Sequence, residues 1–111
     1  MQSNEVKTVK FSERMYGQDG ERNIIKDGIR IANYAKNNPA LMDVLTNKAG
    51  TGITVSQVSA YLPNDVVKAI GVDESHSGGS WSAVCWAAVQ VAQGYKIIGD
   101  WGDSDKLAET L

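Results

Sequence analysis

Residues 80–95 (SWSAVCWAAVQVAQGY) constrain this chain more than any other stretch, because they hold too few polar positions to give a helix a wet side. At 3.6 residues per turn, Trp81, Val84, Cys85, Ala88, Val91, Ala92 and Tyr95 share one broad face. Ala83, Ala87 and Val89 extend it, leaving Ser82, Gln90 and Gln93 as the polar remainder. A helix apolar almost all round has to be covered by protein. Its most apolar run, residues 83–92, is broken by Gln90 and is about half the roughly 20 residues of a membrane span. The spacing therefore predicts a central, buried helix over residues 81–93, capped by Ser80, and no membrane segment.

The rest of the chain reads as shorter elements able to cover that helix. Over residues 21–36, Ile24, Ile25, Gly28, Ile31, Ala32 and Ala35 fall on one side and Arg22, Lys26, Arg30 and Asn33 on the other. Gly28, Ala32 and Ala35 form a row with almost no side chain, which predicts an unusually close helix partner. Asn38-Pro39 opens a helix to about Lys48 that buries Leu41, Met42, Val44 and Leu45, and Gly50-Thr51-Gly52 closes it. Thr54 caps a third helix through Leu62, and Pro63-Asn64 opens a fourth carrying Val66, Val67 and Ile70 before Gly71. Residues 72–80 (VDESHSGGS) have no periodicity and read as a flexible loop. Residues 5–11 and 95–101 read as short strands, residues 16–20 as a loop, and Ser104 as the cap of a last helical turn. The expected fold is mostly α: one domain over residues 1–111, with residues 1–20 as an extension or strand and loop. About five short helices surround the central one, and a two-stranded ribbon joins the termini.

Composition narrows the function classes. Eleven basic against thirteen acidic residues give a net charge of −2, which gives phosphate neutralisation no global support. Arg14, Arg22 and Arg30 lie in the first 30 residues, whereas Asp100, Asp103, Asp105 and Glu109 crowd the other end. That asymmetry can join the ends of one molecule or steer contact between two. Cys85 is the only cysteine and residues 1–10 hold no apolar signal run, so a reducing, cytoplasmic setting is expected.

Five patterns invite chemistry. Residues 53–70 (ITVSQVSAYLPNDVVKAI) resemble a helix-turn-helix, but the second helix offers only Asn64, Asp65 and Lys68 to bases and phosphates. Cys85-Trp86-Ala87 resembles the nucleophile segment of papain-like cysteine proteases, whose histidine base lies downstream. Here the only histidine, His76, precedes the cysteine, and Cys85 shares the apolar face of its helix. Gly78-Gly79 before an apolar segment resembles the leader junction of ribosomally made, processed peptides. Asp100, Asp103 and Asp105 lack the register of a calcium loop, and His76 reads as an exposed loop histidine.

What remains is Trp86, which falls in the polar strip with Ser82, Gln90 and Gln93 and is either covered by the chain or offered to a partner. The expected function is a non-enzymatic interaction or assembly module: an adaptor, an inhibitor or a self-associating subunit. Its partner surface is expected at Trp86, Gln90 and Gln93, with the basic stripe Arg22, Lys26 and Arg30. A DNA-binding regulator and a processed-peptide precursor are the alternatives. No metal, cofactor or small-molecule ligand is expected.

Overall fold

The computed structural model describes residues 7–11 and 17–111, with backbone alone at 17–19. The expected strand positions Glu5 and Val6, together with Arg14 and Tyr16, lie outside the described residues. In chain order the elements are β1 (Thr8–Lys10), α1 (Gly17–Ala35), α2 (Pro39–Thr46), α3 (Val55–Ser59) and α4 (Asn64–Ala69). They continue with α5 (Gly78–Ala92), β2 (Lys96–Gly99), β3 (Gly102–Asp103) and α6 (Ser104–Glu109). The domain is mostly helical, as its patterning implies, but it has six helices and a three-stranded sheet among the described residues.

The capping residues act as their chemistry dictates. Asn38 Oδ1 accepts from Leu41 N at 3.2 Å with Pro39 at the first helical position, and Asn47 ends α2 in the left-handed region at φ 57°. Thr54 and Gln57 close a reciprocal capping box on α3. The helix opened by Thr54 stops at Ser59, three residues short of Leu62.

The core lies between α1 and α5, whose contact is the most extensive in the molecule. From α1 come Ile24, Ile25, Ile29, Ile31, Ala32 and Ala35, and from α5 come Val84, Cys85, Ala87 and Ala88. The centre is thus a helix pair. Val89, Val91 and Ala92 of α5, apolar by type, are only half-buried, so the expectation of one central helix covered all round is corrected. The small row does bring the backbones together: a Cβ on Gly28 would lie 2.5 Å from Ala87 Cβ and 2.9 Å from Ala88 N. Both helices start earlier than their apolar periodicity does. α1 includes residues 17–20, which had read as a loop, and α5 takes Gly78, Gly79 and Ser80 as its first turn.

β1 runs parallel to β2, in the register Thr8↔Lys96 and Lys10↔Ile98, and β3 adds antiparallel to β2 beyond the expected ribbon. The parallel pairing needs a long crossover, which the helices from α1 to α5 supply. Ile97 is buried beneath the sheet, and its N–H donates to Ser104 Oγ at 3.0 Å, tying β2 to the start of α6.

Candidate functional site

Helix α5 presents two distinct environments. At its N-terminal end, the loop before it is fastened to α1 through Asp27, a residue that the sequence pattern did not single out. Asp27 Oδ1 pairs with Arg30 Nη1 at 2.8 Å, and Oδ2 takes both His76 Nε2 at 2.8 Å and Asp73 N at 3.3 Å. Because a carboxylate only accepts, His76 Nε2 carries a hydrogen. The His76 side chain is 10% exposed and that of Asp27 4%, so the exposed loop histidine of the sequence reading is corrected to a nearly buried one. The loop residue Val72 is buried as well. Ser75 donates to Asp73 Oδ1 through both its N–H and its hydroxyl, which holds the Asp73 carboxyl below the usual range.

His76 Nδ1 lies 3.3 Å from Ser80 Oγ, completing a carboxylate–imidazole–hydroxyl chain. The Ser80 oxygen, however, accepts from Ser77 N at 3.1 Å and donates to Ser77 O at the same distance. Its proton and one lone pair are committed to starting α5, so holding the loop and the helix start accounts for the chain. Next to it opens a cleft of about 240 Å3 whose walls include Ser59, Asn64, Asp73, Glu74, His76 and Trp81. Trp81 Nε1 donates to Ser59 Oγ at 2.7 Å, which fixes that indole against α3.

Further along α5, Trp86 is half-buried, its ring tilted 53° against Phe11 with centroids 5.8 Å apart. Hollows open on both sides of it. One, of about 170 Å3 between α3 and α5, is lined by Ile53, Thr54, Val55, Val58, Ser82, Cys85, Trp86 and Val89, with no charged side chain among the described residues. The other, of about 250 Å3, is lined by Lys10, Phe11, Ala83 and Trp86. Val55, 38% exposed, stands at the rim of the uncharged hollow. Cys85 lies in its floor, 3% exposed, and burial pushes its thiol up to about 12, so it stays a neutral thiol near neutrality. A wider opening of about 530 Å3 by Asp43, Asn47, Lys48 and Gln57 is walled by exposed and half-buried residues and brings no buried group to a focus.

The six expected partner residues have different surroundings. Trp86 lines both hollows, and Gln90 is half-buried. Gln93 Nε2 donates to Leu45 O at 3.0 Å and so joins α5 to the C-terminal end of α2. Arg30 is engaged by Asp27, Arg22 is exposed, Lys26 is half-buried, and none of these three lines either hollow. The acidic end is engaged locally: Lys96 Nζ lies 3.1 Å from Asp103 and 3.8 Å from Asp105, contacts that raise the Lys96 pKa. The side chains that sequence reasoning missed are Asp27, Ile53, Val55 and Val58. On a wheel of α1 Asp27 falls beside Ile31 at the edge of the apolar face, where a charged residue passes for a solvated one.

Comparison of the chain with protein-family models, with curated proteins and with solved structures returned no match. Its class is that of a small mostly helical domain with an appended three-stranded sheet, and any functional reading rests on its own surface.

Proposed function

We propose that this chain is a small protein-binding or assembly module, non-enzymatic, which docks an apolar side chain of a partner into the hollow between α3 and α5. The observation that carries the reading is the wall of that hollow: a half-buried tryptophan, aliphatic neighbours and no charge. Burying an uncharged wall costs little desolvation, and tryptophan anchors dominate interface energetics. The partner is another protein or a second copy of the chain, and Val55 is the rim residue that either must cross.

The two alternatives draw less from the geometry. In the helix-turn-helix reading the second helix, α4, is six residues long and exposes Asn64, Asp65 and Lys68, one acid for one base. In the processed-peptide reading Gly78-Gly79 would be a cleavage site, yet both belong to the first turn of α5, whose buried face packs on α1.

The test is titration with isobutanol, a solute the size of a leucine side chain, followed by the indole N–H resonance of Trp86. The expected result is a saturable shift that Val55→Asp abolishes, with the fold unchanged. The absence of a saturable shift, or its persistence in Val55→Asp, contradicts the reading.

A further inference from the structure

The cleft at the start of α5 and the uncharged hollow beside Trp86 are neighbours. Ser59 and Trp81 line the first, and the adjoining residues Val58 and Ser82 line the second, so both open along the seam between α3 and α5. Their α5 walls, Trp81 and Trp86, are five residues apart, about 7.5 Å along the axis, close to two residues of extended chain. Their chemistry differs. The first cleft carries Asp73 and Glu74, and among the described residues no lysine or arginine lines it. Asp73 uses Oδ1 for Ser75, His76 turns Nε2 to Asp27 and Nδ1 to Ser80, and the Trp81 indole is fixed by Ser59.

We propose that the partner segment that fills the Trp86 hollow places a basic side chain, arginine above all, in the adjoining cleft between the Asp73 and Glu74 carboxylates and the Trp81 ring. This rests on the Trp86 reading and adds the partner's chemistry to it. The α5 N-terminus brings about half a positive charge to the cleft, which two carboxylates outweigh. A guanidinium is the cation that both pairs with a carboxylate and lies flat on an indole.

Capped pentapeptides with leucine and arginine two positions apart, in either order, provide the probe, and the same peptides with citrulline in place of arginine are neutral isosteres. At least one order should shift the indole resonances of both Trp81 and Trp86, and bind about tenfold more tightly than its citrulline twin. That preference should fall to about unity in the double variant Asp73→Asn with Glu74→Gln, which preserves shape and the Ser75 acceptor. It should also shrink as salt is raised. Equal binding of arginine and citrulline peptides with a Trp86 shift overturns the basic-side-chain proposal and leaves the hollow standing. A response at neither tryptophan, or at Trp81 alone, overturns both.

Discussion

Among the described residues Asp27 and Glu21 are the two buried carboxylates of α1, and their surroundings give them opposite consequences. Asp27 is fully engaged by Arg30, His76 and the Asp73 N–H. Removing it leaves a nearly buried imidazole and a partly buried guanidinium without their acceptor. Asp27→Ala should therefore cost about 3 kcal/mol in urea denaturation, the lower part of the range for breaking buried pairs because Arg30 is partly exposed. A cost under about 1 kcal/mol would show that the loop before α5 is held by Val72 and its own turns instead. Glu21 sits beneath Gly99, where a Cβ would overlap its carboxyl. Its Oε1 accepts from Asp100 N at 3.0 Å, and Oε2 has no hydrogen-bond partner among the described residues. Burial raises its pKa, and the neighbouring Asp100 charge adds to this against the backbone N–H groups of Asp100 and Trp101. The folded chain thus keeps a proton at a pH where the unfolded chain, near about 4.3, has released it. By linkage, stability falls as pH rises from that unfolded value through the folded one and levels off above it. Glu21→Gln should remove this component, so the stability of the parent relative to the variant should decline as pH rises above about 4.3 and then level off. Parallel profiles would contradict it. Neither carboxylate was legible in advance, because charged residues on or beside an apolar face pass for solvated ones until their distant partners, 46 residues away for Asp27 and 79 for Glu21, are known.

At the scale of elements, the sequence was informative where spacing alone decides the packing. The row of Gly28, Ala32 and Ala35 implied a close helix partner, and α5 meets it with Ala87 and Ala88. Gly28→Ala improves intrinsic helix propensity by about 1 kcal/mol, but its Cβ would meet Ala87 Cβ and the backbone of Ala88. Overpacking of about 1 to 3 kcal/mol should prevail, and the variant should be the less stable. Adding Ala87→Gly relieves the nearer clash, so the two substitutions should fail to add by more than about 0.5 kcal/mol in a double-mutant cycle. Strict additivity would mean that the helices separate to accept the methyl group. Boundaries were less legible. Glycines 78 and 79 disfavour a helix by propensity, yet Ser77 and Ser80 close its first turn by hydrogen bonds that no periodicity reveals. The third strand was missed for a related reason: Gly102–Asp103 is two residues long and exists through its register with β2, not through alternation of its own.

At the scale of the whole molecule, α5 is shared between core and surface. One side closes on α1 through alanines, while Trp81 and Trp86 stay half-buried along the seam with α3. The placement of Trp86 among polar positions was visible on a wheel. The hollow beside it was not, because it needs Val55 and Val58 from a five-residue helix, with Ile53 just before it, and no local pattern encodes the docking angle of that helix. The charge asymmetry between the ends also looked different folded, since Arg30 and the acids at 103 and 105 find partners near themselves. The most direct measurement of the central claim is selection of binders from a random peptide display library with the intact protein as bait, followed by affinities against Val55→Asp. The account predicts enriched sequences that share an apolar anchor and bind Val55→Asp at least about tenfold more weakly, as loss of a rim contact at a hot spot requires. Failure to enrich any sequence, or binders indifferent to Val55→Asp, would contradict it.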